Sequence, residues 1–106
     1  MAAQIGVEQL RDLLARGEMP VILDVREPDE TRLARFAGAM EIPMGQVPRR
    51  LDELSRDDRI VVLCHHGVRG GRVAAYLDQE GFRRVANLSG GIDAWSMLID
   101  PKVPRY

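Results

Sequence analysis

The chain has 106 residues, 45% of them apolar and 29% charged, which is enough for one domain with a single core and too little for two. A net charge of −1 from scattered charges excludes the basic footprint of a nucleic-acid binder, and one cysteine excludes an internal disulfide framework. No apolar run approaches the roughly 20 residues needed to cross a bilayer, and Met1-Ala2-Ala3-Gln4-Ile5 lacks the basic and apolar regions of a signal peptide. A lone thiol fits a reducing compartment, so the expectation is a cytoplasmic monomer with no membrane or nucleic-acid partner.

In chain order, Val7, Leu10, Leu13 and Leu14 have the spacing of one helix face, and Gly17 stands where a left-handed C-terminal cap belongs. Pro20 precedes Val21-Ile22-Leu23-Asp24-Val25, an apolar run without alternation, as expected of a parallel strand buried on both faces. Pro28 is placed to open a short helix ending near Leu33. Ala39 to Pro43 reads as a short strand. Pro48 can start a further helix that turns Leu51 and Leu54 to the core.

Ile60 to Leu63 is the next strand, followed by a glycine-punctuated loop and a helix carrying Val73, Ala74 and Leu77 toward a cap at Gly81. Val85 to Leu88 is a strand, and Ser89-Gly90-Gly91 breaks the chain before a helix with Ile92, Trp95 and Leu98 on one side. The prolines at 101 and 104 end helical structure. Strands alternating with helices predict one α/β domain over residues 1–106 with an open, mostly parallel sheet. In such sheets ligands bind beyond the carboxyl ends of the strands, where Cys64 ends one strand and Asp24-Val25-Arg26 ends another.

The stretch Cys64-His65-His66-Gly67-Val68-Arg69-Gly70 carries the candidate chemistry. Strand, glycine loop and helix start form an anion cradle. Backbone N–H groups converge there and the helix dipole adds partial positive charge, so a thiol at its floor is expected to ionise readily. A free cysteine is by default a small buried apolar residue, but a polar loop with few packing side chains favours a nucleophile. Cys64, His65 and His66 also raise a metal site. Adjacent side chains usually point apart, though, and no further His or Cys completes the set, so no metal is expected and the histidines are assigned to the rim.

Arg69 lies in the first helical turn, where the dipole disfavours a cation, so an anionic partner is expected to account for it. Arg72 reads as surface and Trp95 as core. Asp24, at a buried strand end, needs partners and is expected to tie down the loop.

These residues, in this order, resemble the single-domain rhodanese-like sulfurtransferases over nearly the whole chain. The likeness rests on Leu23-Asp24-Val25-Arg26-Glu27-Pro28, Gly38-Ala39 with Ile42-Pro43, Val62-Leu63-Cys64 through Arg69-Gly70, Ala74 to Leu77 with Gly81-Phe82, and Val85 through Trp95. It implies a central five-stranded sheet flanked by helices on both faces and an active loop over residues 64–70. It also implies that Cys64 takes the sulfane sulfur of thiosulfate or a protein persulfide as a covalent persulfide, with no other cofactor, and passes it to a thiol or sulfur-carrier acceptor. The N–H groups from His65 to Gly70 would hold the persulfide and Arg69 would bind the sulfonate of the donor, with Asp24 and Arg26 in support.

Four residues separate Cys64 from Arg69. The related phosphatases and arsenate reductases have five, and the position one further on here is Gly70. A phosphatase-like enzyme and a non-catalytic interaction module are the alternatives. Three positions depart from the family pattern: Arg35 replaces a usual histidine, Thr31 a frequent aromatic, and Gly70 a frequent serine. The tail from Asp100-Pro101 to Val103-Pro104-Arg105-Tyr106 resembles that of rhodanese modules fused to enzymes that activate sulfur carriers.

Overall fold

A computed structural model describes residues 2–106. The chain runs β1 (Ala3–Ile5), α1 (Val7–Ala15), β2 (Val21–Asp24), α2 (Pro28–Leu33), β3 (Met40–Glu41), two 3-10 turns (Met44–Gln46 and Pro48–Glu53), β4 (Arg59–Leu63), α3 (Val68–Gln79), β5 (Arg84–Leu88) and α4 (Gly91–Leu98). The five strands form one sheet in the order β1-β5-β4-β2-β3, and every pairing is parallel. The fold class expected from the sequence is the one observed. No helix among the described residues is long and apolar enough to cross a membrane.

The unalternating strands read correctly because both sheet faces are covered. Ile60 and Val62 of β4, with Cys64 just after it, belong to one core with α3 and the 3-10 turns, where they meet Val73, Ala74, Leu77 and Leu54. Val61 and Leu63 belong to the other, with Leu10 and Leu13 of α1 and Ile92 and Trp95 of α4. Strand periodicity of two thus puts the cysteine on the face of the helix that follows it. Asp24 pairs with Leu63 in the ladder, which sets the ends of β2 and β4 side by side.

Three features differ from the sequence reading. The residues gave no sign of β1, a three-residue edge strand whose first two side chains are exposed and which pairs only with β5. The segment opened by Pro48 is 3-10 rather than α, with Arg50 outside helical geometry (φ −119°, ψ 20°). It is held by i→i+3 bonds that suit Leu51 and Leu54, three residues apart. Leu98 is 64% exposed and does not share the core with Ile92 and Trp95. It sits in the last turn of α4, and the following Ile99 packs inward in its place.

Leu77, fully buried under the sheet, and Leu98 form a matched pair. Leu77→Ala is expected to lower the unfolding free energy by about 2–5 kcal/mol and Leu98→Ala by less than about 0.5 kcal/mol, read from urea midpoints at unchanged m-value.

Candidate active site

Cys64 follows β4 at the carboxyl edge of the sheet, and its side chain is 1% exposed. The loop turns sharply enough for the Gly67 N–H to point back at Sγ, 3.0 Å away. An N–H aimed at sulfur is the contact a sulfur anion requires. Helix α3 begins at the next residue and directs its N-terminal end at the same place.

The loop keeps this shape because the start of α4 takes up its outer carbonyls. The Ile92 N–H donates to Cys64 O at 2.9 Å and the Asp93 N–H to His65 O at 3.1 Å. So close an approach requires Gly91, at φ +62°, because a Cβ there would overlap the backbone of Cys64 and His65. From the sheet, Asn87 Nδ2 donates to Gly67 O and to Gln4 Oε1, each at 2.9 Å.

Asn87 also accounts for Gly70. Its Oδ1, buried and without a hydrogen-bond partner among the described residues, occupies the place a Gly70 Cβ would take. The frequent serine of the family pattern would therefore require Asn87 to turn from its bonds to Gly67 O and Gln4 Oε1. Of the other loop residues, Val68 is exposed on the outer side of α3, as is Arg72.

Arg69 does not stand as a free charge over the sulfur. Its Nη1 and Nη2 bind Glu30 Oε2 and Oε1 of α2 at 2.6 and 2.7 Å. The anionic partner expected from its unfavourable position is a residue of the protein itself. Glu30 also accepts from the Glu27 N–H at 3.0 Å and from the Tyr106 hydroxyl at 3.1 Å. Hydrogen bonds from Arg69, against the opposing effect of burial, bring its carboxyl down from the ordinary 4.5 to about 2. The same bonds raise the Arg69 guanidinium above its usual range.

Asp24 acts one step further from the loop than expected. Its carboxylate is fully buried and binds Arg26, with Nη2–Oδ2 at 2.7 Å and Nε–Oδ1 at 2.9 Å. Arg26 then donates to Ala34 O at 2.7 Å and to the Tyr106 hydroxyl at 3.1 Å. A polar chain thus runs from Asp24 through Arg26, Tyr106 and Glu30 to Arg69. Arg35 takes no part in it; it is exposed and pairs at 3.8 Å with Glu41.

The two histidines do not point apart. Their rings stack with centroids 3.8 Å apart, and Tyr106 covers the other face of His65 at 3.8 Å and 9°. Burial, and secondarily the neighbouring His66, hold His65 below the ordinary histidine range, so its ring is uncharged at neutral pH. With Asp93 they bring three ligand atoms within 4.8 Å of one another. The donor set fits a metal poorly: stacked rings aim their lone pairs side by side rather than at one point, and Arg105 already holds Asp93 at 2.8 Å.

The family model of the rhodanese-like domain matches residues 6–98. The chain belongs to this family. A sulfurtransferase of Allochromatium vinosum is 38% identical over 96 residues, which cover 91% of this chain and 90% of the relative. The thiosulfate sulfurtransferase GlpE of Pseudoalteromonas translucida is 29% identical, with 95% of each chain covered. A rhodanese-like domain protein from Staphylococcus aureus superposes with a TM-score of 0.86 at 28% identity, covering 98% of each chain.

Glu30, Tyr106 and Asn87 are the site residues the sequence reading left without a role. Glu30 looks like an ordinary first-turn acid of α2, favoured there by the helix dipole. Its partner lies 39 residues away. The only signal for Tyr106 was the resemblance of the tail.

Two outcomes test this rhodanese-like site. Gly70→Ser is expected to lower the melting temperature in the natural chain and to cost much less beside Asn87→Ala, a coupling that a double-mutant cycle measures. Because Glu30 titrates lower when folded than when unfolded, its stabilising contribution is full above about pH 4.5 and lost as pH falls toward about 2. The stability gap between the natural chain and Glu30→Gln should therefore shrink across that window in denaturant titrations. A gap independent of pH would contradict it.

Proposed function

We propose that this rhodanese-like domain is a sulfurtransferase that carries sulfur as a persulfide on Cys64. The observation that carries the reading is the Gly67 N–H 3.0 Å from a sulfur only 1% exposed. A sulfur so deep in a short loop can be reached by a single protruding atom, as the terminal sulfur of a sulfane donor is. A tetrahedral oxyanion needs a wider cradle, and the four-residue spacing from Cys64 to Arg69 does not provide one. The near-full-length relatives named as sulfurtransferases support the same reaction class.

In the first half-reaction the Cys64 thiolate attacks the outer sulfur of thiosulfate. The new Sγ–S bond forms as the donor S–S bond breaks, and sulfite leaves with the electron pair. A protein persulfide reacts likewise and leaves as its thiolate. Backbone N–H groups of residues 65–70 would stabilise the persulfide anion, electrostatic stabilisation in the manner of an oxyanion hole. In the second half-reaction a thiophilic acceptor (cyanide in the test tube, a thiol or a sulfur-carrier protein in a reducing cell compartment) takes the outer sulfur and frees the thiolate. The protein's electron count closes over the cycle, so the scheme calls for no metal or organic cofactor. Arg69 would serve an anionic donor only once released from Glu30, and Asp24 and Arg26 hold its surroundings.

Intact-protein mass after incubation with thiosulfate, and separately with a protein persulfide, tests the reading. The natural chain is expected to gain one sulfur atom, removable by a thiol reductant, and Cys64→Ala none. No gain from either donor, with Cys64 still open to a small alkylating agent, would favour a non-catalytic interaction module.

A further inference from the structure

Arg69 is the only cation within loop 64–70, and its guanidinium fork is occupied. Both Nη groups meet both oxygens of Glu30, the bidentate pairing in which a guanidinium is most fully satisfied by one carboxylate. Glu30 is not a mobile surface acid that happens to lie nearby. Its Oε2 is fixed by the Glu27 N–H and its Oε1 by the Tyr106 hydroxyl, which is itself anchored to the buried Arg26. The carboxylate would keep its place if Arg69 swung away.

A donor ending in a sulfonate must therefore do one of two things. It can displace Glu30 from Arg69, or it can enter beside a fixed negative charge. Both act against a dianion such as thiosulfate. Neither acts against a sulfane sulfur carried on a thiol, whose leaving group places no sulfonate at the loop mouth. Two neighbouring cations are likewise occupied, Arg105 by Asp93 and Arg26 by Asp24, so neither is free to take the sulfonate in place of Arg69.

Resting on the sulfurtransferase reading, we infer that Glu30 is a specificity-determining residue, which withholds Arg69 from sulfonate-bearing donors and biases the site toward persulfides of the form R–S–SH. The preferred step is then attack of the Cys64 thiolate on the outer sulfur of R–S–SH. It forms Cys64–S–SH and releases R–S⁻, with the proton kept on the transferred sulfur and the S–S electron pair on the leaving thiolate.

The test is steady-state kinetics of the full chain with two donors, thiosulfate and hydroxyethyl persulfide, which carries neither sulfonate nor carboxylate. Glu30→Gln keeps the size and one acceptor of the side chain but frees the charge of Arg69. It is expected to lower the thiosulfate KM about tenfold, the scale of one charge-assisted hydrogen bond, and to move the persulfide KM much less. Glu30→Asp, which keeps the charge, stays close to the natural chain in its donor ratio. A merely structural role would instead depress kcat for both donors together.

A thiosulfate KM that is unchanged or raised in Glu30→Gln, or that moves by the same factor as the persulfide KM, overturns the inference. Should Glu30→Gln fail to fold, Tyr106→Phe removes one of the bonds that fix Glu30. It is expected to shift the donor ratio the same way by a smaller factor, and no shift there overturns the inference equally. Loading of Cys64 from the persulfide without any change in donor ratio defeats the role of Glu30 alone. Loading from neither donor defeats the sulfurtransferase reading and this inference with it.

Discussion

Arg26 is the largest fully buried side chain of the domain, and the arrangement at the carboxyl edge of the sheet depends on how its charge is met. An ion taken out of water at this depth costs several kcal/mol, which its partner repays only when the geometry is good and the remaining donors are satisfied. Here Asp24 takes one edge of the guanidinium, and Ala34 O and the Tyr106 hydroxyl take donors on the others. These bonds tie together the end of β2, the segment after α2 and the C-terminal tail. Ala34, Phe36, Val103 and Tyr106 also share one apolar core here, and the buried arginine adds the directional bonds that fix how these elements meet. Removing either member of the Asp24–Arg26 pair would leave the other charged and unpaired in the core, the situation in which buried ion pairs prove costly to break.

From that anchor the network reaches the Cys64 loop by alternation of charge and hydrogen-bond sense. Arg26 donates to Tyr106, Tyr106 donates to Glu30, and Glu30 accepts from Arg69. Burial raises the Tyr106 phenol above its usual range, which keeps the proton it needs to donate. Its ring meanwhile packs flat on His65, so one side chain from the tail touches both the charged latch and the backbone segment next to Cys64. The tail is in turn held by Arg105 on Asp93 and by the Ser96 hydroxyl on Val103 O. The position of Arg69 at the mouth of the cradle is thereby set from both ends of the chain's last third.

What the sequence revealed and what it hid divide along the range of the interactions. The buried strands β2 and β4, the helix opened by Pro28 and the caps at Gly17 and Gly81 were legible because each is decided by neighbours a few residues apart. The Cys64 loop was legible for the same reason, since strand, glycines and helix start lie within about ten residues. Strand β1 has too few residues to show a period, and Leu98 continued a helical stripe past the point where α4 leaves the core. Glu30, Asn87 and Tyr106 act across 39, 20 and 76 residues, and no local pattern reports such distances. The stacking of His65 on His66 was missed because alternation of side chains holds for a strand, and the chain leaves β4 at Leu63.

The expected electropositive bowl around Cys64 takes a different physical form. Side-chain charges near the loop are matched one to one: Asp24 with Arg26, Glu30 with Arg69, Asp93 with Arg105. Each cation of a pair is thereby offset by its own carboxylate, and Arg69 in particular acts on Cys64 with Glu30 bound to it. What is not offset in this way is the set of aligned backbone dipoles, the Gly67 N–H at 3.0 Å and the N-terminal end of α3 behind it. Those dipoles carry no proton to lose and need no counterion. They are also fixed in direction, because α4 holds the carbonyls of Cys64 and His65 outward through the N–H groups of Ile92 and Asp93. A site built this way directs backbone donors at one sulfur atom.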